Sequence, residues 1–530
     1  MHKPKIITAK EAADIIQNGS VLVNTGMMLA GNCEAILRAM EESFLSSGKP
    51  NGLTLIHSAS QADRVAGIEH LAHPGMTDRI IGAHWGLAPR WMNMIAENRI
   101  CAYNIPQGQL VHMLHSIACH EFGPVTKVGL DTFIDPRLEG GKMNDLARER
   151  EDLNELLVLG GEEWIHYKQV LPDVALIRGT SMDEDGNLST EEEGLKLELL
   201  TAALAVKRSR GIVIAQVKRL VKNGDIHPQR VAVPGIHIDY AVVCEDPQKE
   251  HRQCSSIYYS PAVCGDSKEF LTQEKTDGTP DVRTLIGRRA LLEASENELI
   301  NLGIGIPNDS IGQILSSERM GGFVTPTVES GICGGVALGD VDFGVGKNCT
   351  AIIPHEQQFD FYDGRGVDTC FMGVGEIDLR GNVNATKMGR HIPGCGGFID
   401  ITQNARKVVF CTTFTASGLR CLVEPEGVVI LQEGKIRKFV RGLQQVSFSA
   451  KRALQSGQKV VYVTERAVFE LTDQGLLLTE KAPGMDISRD IIGHMEFVPR
   501  ISPHLREMDP KLFGPSPFGL AELIRGTRQI

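Results

Sequence analysis

The chain has 530 residues, 42% hydrophobic and 23% charged, a balance that excludes disordered, collagenous and coiled-coil chains. That length exceeds one ordinary hydrophobic core and suits two large α/β domains or three smaller ones. The net charge of −11 argues against a nucleic-acid partner, which would require a basic face.

At the N-terminus, MHKPKIITAKEAADII carries basic residues with no apolar core behind them, so no secretory signal is expected. No later stretch approaches the run of about 18 apolar residues that a membrane helix needs. A cytoplasmic protein without membrane contact is the expectation. The 12 cysteines are scattered without a CxxC, and the spacing of Cys244, Cys254 and Cys264 matches no zinc site, so reduced thiols are expected. His70 and His73, and then His112, His115 and His120, lack a matching carboxylate or cysteine pattern, and no metal site is assigned to them.

The chain repeats itself. NGSVLVNTGMMLAGNCEAIL (18–37) aligns with NELINLGIGIPNDSIGQIL (297–315), pairing Asn24 with Asn301 and Gly26 with Gly303 in a strand, glycine turn and helix. Asp183-x-x-Gly186-Asn187 aligns with Asp378-x-x-Gly381-Asn382, each after a β-like run. GIVIAQV (211–217) matches KVVFCTT (407–413) as a short apolar strand. The echoes keep their order, which predicts two related open α/β domains with mostly parallel sheets flanked by helices. The polar segment 265–281 reads as a linker between domains 1–264 and 282–530, with a ligand cleft expected between the halves. After it, DVRTLIGRRALLEA (281–294) spaces Leu285, Ile286, Ala290, Leu291 and Leu292 for one buried helix face.

GIGIP (303–307) lacks the third glycine of a dinucleotide fingerprint and reads instead as a turn where backbone approaches a ligand. Phosphate-loop, GxSxG and HExxH patterns are absent from the sequence. In FVTPTVESGICGG (323–335), a strand ends at Val328 and Glu329 follows, ringed by glycines, an arrangement that packing explains poorly. PGCGGFIDI (393–401) is a second glycine knot whose N–H groups could face a developing negative charge, and NIPQG (104–108) puts the Gln107 amide in a turn.

With these segments the chain resembles the fused, two-half family I coenzyme A transferases. The resemblance spans nearly the whole length, through PQG (106–108), TFIDPRLEGGKMN (132–144), NLGIGIP (301–307), TVESG (327–331), QFDFYDG (358–364), GCGGFIDI (394–401) and APGMDISRDI (482–491). It implies that CoA passes from a short-chain acyl-CoA to acetate or a related short-chain or 3-keto acid, with CoA thioester as substrate and no prosthetic group. Glu329 is implied as nucleophile, forming a glutamyl-CoA thioester by ping-pong chemistry. The Gly397 N–H and the Gln107 side chain are implied as oxyanion donors, and Gly303, Ile304, Gly305, Gly394 and Gly396 as neighbours of CoA. An ordinary glutamate, with a pKa of about 4.3, would be ionised at neutral pH and need no general base. Homodimers or homotetramers are implied. Two departures from the family pattern, TGMMLAGN (25–32) and Arg365, bear on the acyl pocket. The alternatives are an acyl-CoA hydrolase on the same scaffold and a CoA-sensing binding module.

Overall fold

A computed structural model describes residues 3–269 and 279–527. The chain divides into two compact units, one comprising 1–269 with 329–360 and 389–400, the other 270–328 with 361–388 and 401–530. The sequence assigns Glu329 and the glycine knot to the second half, yet both pack with the first unit. Of the expected linker, 270–278 lies outside the described residues; on its near side Glu269 pairs with Lys347 at 2.8 Å.

The first unit is built on strands β1 (Lys5–Ile7), β2 (Val21–Asn24), β3 (Leu53–His57), β4 (Thr77–Gly82), β5 (Cys101–Asn104), β6 (Val174–Met182), β7 (Ile212–Leu220) and β8 (Tyr240–Val243). They lie in the order β1-β8-β7-β6-β2-β3-β4-β5, every pairing parallel. The helices that position the site are α1 (Glu34–Ser47), α2 (Gln107–Ala118) and α3 (Leu199–Arg208). β3 and β6 are buried along their whole lengths, as strands covered on both faces must be.

The second unit holds α4 (Val282–Leu291) and α5 (Ile306–Ser317) with strands β9 (Leu299–Leu302), β10 (Thr325–Val328), β11 (Thr369–Gly373), β12 (Lys407–Cys411), β13 (Lys459–Val463), β14 (Ala467–Thr472), β15 (Gly475–Lys481) and β16 (Arg500–Glu507). Their order is β10-β9-β11-β12-β13-β14-β15-β16, parallel through β13 and then antiparallel across β14 to β15. The stretch β10-β9-β11-β12-β13 repeats β3-β2-β6-β7-β8 of the first unit, strand for strand.

The duplication extends to hydrogen bonds. Asp183 Oδ1 and Oδ2 accept from the Asn187 N–H and Nδ2, both at 2.9 Å, while the Gly186 N–H closes the turn on the Asp183 carbonyl at 3.0 Å. Asp378, Gly381 and Asn382 make the same set at 2.9, 2.8 and 3.0 Å. Gly186 at φ +86° and Gly381 at +89° occupy the left-handed region that this turn requires.

Helix α4 departs from the one-faced pattern. Leu285, Ile286, Ala290 and Leu291 are buried as expected and Leu292 partly so, but Arg288 and Arg289 are buried as well. Arg289 is tolerated there because Glu480 and Glu293 accept from its guanidinium at 2.6 and 3.1 Å. Gly287 allows α5 to approach closely, since a Cβ there would lie 2.3 Å from Ser310 Oγ.

Candidate active site

Glu329 follows β10 directly in the chain, and the next residues are shaped by glycine. Gly331 adopts φ +104°, and its carbonyl accepts from the Ile353 N–H at 2.9 Å. Ile332 and Cys333 then pair antiparallel with Ile352 and Ala351. This short ribbon returns the chain through Pro354 to His355, bringing an imidazole close enough to act electrostatically on a carboxylate 26 positions earlier. Ser330 Oγ donates to the Gly344 carbonyl and fixes the turn from its other side.

Glu329 is buried, only 8% exposed, and no Lys or Arg pairs with it among the described residues. Burial disfavours the ionised form and pushes its carboxyl up to about 7, against weaker opposing pulls from its own backbone N–H and from His355. The expected freely ionised glutamate is therefore corrected: near neutral pH the carboxyl is poised between its two forms.

The glycine knot is pinned to the start of α2. The Gln107 N–H donates to the Gly396 carbonyl at 2.9 Å, and the Gly108 N–H to Asp400 Oδ2 at 3.3 Å, so two of the orphan donors of the helix terminus are satisfied by this loop. Asp400 also accepts from Gln109 Nε2 at 3.0 Å, and its negative charge suits the helix N-terminus. Asn104 staples the other side: its Nδ2 donates to the carbonyls of Gly82 and Ala83 at 2.8 and 2.7 Å, while its Oδ1 accepts from the Cys395 N–H at 2.9 Å. Gly397 is buried, and among the described residues no acceptor meets its N–H.

Gly394 sits at φ +79°, where a Cβ would lie 2.6 Å from the Ala83 carbonyl oxygen and 2.8 Å from Asn104 Nδ2. Gly394→Ala is accordingly expected to displace the knot, destabilising the protein by about 1–3 kcal/mol and lowering turnover; steady-state rates and thermal melts of the purified variant check this.

The Gln107 side chain, 1% exposed, donates through Nε2 to His355 Nε2 at 2.8 Å. His355 Nδ1 meets Glu198 Oε2 at 2.7 Å, and Glu198 Oε1 accepts from Ser58 Oγ. Sequence reasoning missed His355, Glu198, Ser58 and Asn104. His355 stands 248 positions from Gln107 and 157 from Glu198, so no local spacing could mark the group.

Glu329, Gln107, Gly394, Gly396 and Gly397 thus gather in the first unit, whereas Gly303, Ile304 and Gly305 belong to the second. There Gly305 precedes α5 at φ +94° with open space where a Cβ would be, and Ile304 is 44% exposed. Three of the five histidines left without a metal role are engaged by carboxylates: His70 by Glu34 and Glu41, His73 by Glu41, and His112 by Asp360. Among the described residues no cluster of His, Cys, Asp or Glu could hold a metal ion, and no helix is long and apolar enough to cross a membrane.

The sequence profile of the family described as Coenzyme A transferase matches residues 6–244. The caffeate CoA-transferase of Acetobacterium woodii is 40% identical over 517 residues, covering 96% of this chain and 97% of that one. The acetate CoA-transferase YdiF of Escherichia coli O157:H7 is 38% identical over 514 residues, covering 96% and 95%. The crystal structure of the YdiF apoenzyme superposes with a TM-score of 0.91 at 36% identity over 98% of this chain and 97% of that one. A YdiF thioester complex with CoA gives 0.89 at 36% identity, covering 96% of each chain. Likeness of this extent, sustained over nearly the whole length, means that the chain belongs to the coenzyme A transferase family and is a CoA-transferase.

Proposed function

We propose that this CoA-transferase moves CoA from a short-chain acyl-CoA to a free carboxylate, acetate foremost, through a glutamyl-CoA thioester on Glu329. The observation that carries the reading is the buried Glu329 carboxyl, unpaired by any described Lys or Arg, in the same unit as two donors, Gln107 Nε2 and the Gly397 N–H. Ionised Glu329 attacks the thioester carbonyl; the C–S bond breaks, leaving a mixed anhydride and CoA thiolate. The thiolate attacks the glutamyl carbonyl, releasing the first carboxylate and forming the glutamyl-CoA thioester. An acceptor carboxylate then attacks that thioester, and the expelled thiolate takes the acyl group, regenerating Glu329. Each addition places a negative oxygen where Gln107 and Gly397 serve as donors.

The loop at 25–32, one of the two departures from the family pattern, packs close to the neighbour of Glu329. Met27 is buried with its thioether against Gly344, whose carbonyl accepts from Ser330, the neighbour of Glu329.

Incubation with acetyl-CoA and no acceptor is expected to leave CoA on the peptide containing Glu329, detectable by mass spectrometry. Adding acetate or propionate should discharge the adduct far faster than adding caffeate. Steady CoA release without any acceptor would identify a hydrolase instead.

A further inference from the structure

The Gln107 amide could turn by half a rotation and exchange its oxygen for its nitrogen, so something must decide which end is the donor. Four buried side chains from separate segments bear on this: Ser58 beyond β3, Glu198 before α3, His355, and Gln107 at the start of α2. We propose that Ser58, Glu198 and His355 form a positioning chain that locks the Gln107 amide as an oxyanion donor.

The roles follow from what each atom can do. The Glu198 carboxylate only accepts; Ser58 O–H donates to one of its oxygens and His355 Nδ1–H to the other. Since the Gln107 NH2 can only donate, the His355 Nε2 that it meets is the acceptor, and Nδ1, facing Glu198, carries the proton. Only the NH2 end of Gln107 can satisfy that acceptor, at 2.8 Å. One amide hydrogen is thereby committed, and the other is left over, its direction set by the plane of the Gln107 amide. Without the chain, the Gln107 oxygen could turn toward the oxyanion and repel it. His355 therefore acts on the oxyanion through Gln107, beside its weaker electrostatic pull on Glu329, and His355 itself is held by its backbone N–H on the Leu197 carbonyl at 3.2 Å.

This inference rests on the oxyanion reading of Gln107, and a double-mutant cycle separates the two. His355→Ala is expected to lower kcat about 30-fold, within the range that misplacing an oxyanion donor costs, with KM for acetyl-CoA changed less than about twofold. In a Gln107→Ala background the same substitution should cost less than about threefold, because no amide remains to be positioned and only the weak pull of His355 on Glu329 is lost. His355→Gln, whose amide oxygen can accept from Gln107, should recover most of kcat. Multiplicative losses in the two backgrounds, or full kcat in His355→Ala, overturn the chain while leaving the oxyanion assignment standing. Full activity in Gln107→Ala overturns both. Should His355→Ala fail to fold, Ser58→Ala runs the same cycle with a smaller truncation. Its expected loss is about threefold and confined to the background that retains Gln107; an unchanged kcat, or an equal loss in both backgrounds, overturns the chain.

Discussion

Glu329→Gln is expected to lose transfer altogether and, above pH 7, to melt at a higher temperature than the unsubstituted protein. An amide neither attacks a thioester usefully nor leaves from an anhydride, so kcat should fall by at least about ten-thousandfold, with no CoA adduct on the peptide. The stability effect has the opposite sign. The Glu329 carboxyl is raised by burial from 4.5 to about 7. Between those values the folded protein keeps a proton that the unfolded chain has released, so stability falls as pH rises through this window. The loss is complete above about 7 and amounts to about 3 kcal/mol. Glutamine has no proton to lose, so the two proteins should melt alike near pH 4 and diverge toward pH 8. The same window governs chemistry: adduct formation from acetyl-CoA in a single turnover should rise with pH and level off above about 7. A rate flat from pH 5 to 8, with parallel melting curves, would contradict a buried and poised nucleophile.

Gln107→Ala is expected to lower kcat by about a hundred- to a thousandfold while leaving KM for acyl-CoA nearly unchanged. The donor matters most when the carbonyl oxygen carries full negative charge, so its loss acts on the transition state more than on the bound substrate. Gln107→Glu should be worse than alanine although it is nearly the same shape. Its carboxylate would face the developing oxyanion and would offer no proton to the acceptor nitrogen of His355. A loss expressed in KM alone would place Gln107 in substrate binding and remove it from the oxyanion site.

Much of the architecture was legible in the linear chain because strand–turn–helix units and Asp-x-x-Gly-Asn turns are local. The paired turns at Asp183 and Asp378 bond identically, and Asn24 and Asn301 lie on the corresponding strands β2 and β9. From its apolar spacing helix α4 reads as one-sided, and residue type alone predicts that its arginines face water. Arg289 is buried because Glu480, 191 positions away, meets it. Glu329 could be singled out from its setting among glycines, but not its titration, since desolvation depends on everything packed around it.

What the sequence by itself determined was the family, the duplicated α/β plan and the position of Glu329, all of which depend on contiguous motifs and their order. The tertiary structure alone decided how those residues work. It drew Glu329 and the glycine knot into the first unit and buried the carboxyl until its ionisation moved near neutrality. It also set Ser58, Glu198 and His355 in line behind Gln107. The reason is physical: covalent order specifies which groups exist, whereas burial and hydrogen-bond direction depend on neighbours hundreds of positions away.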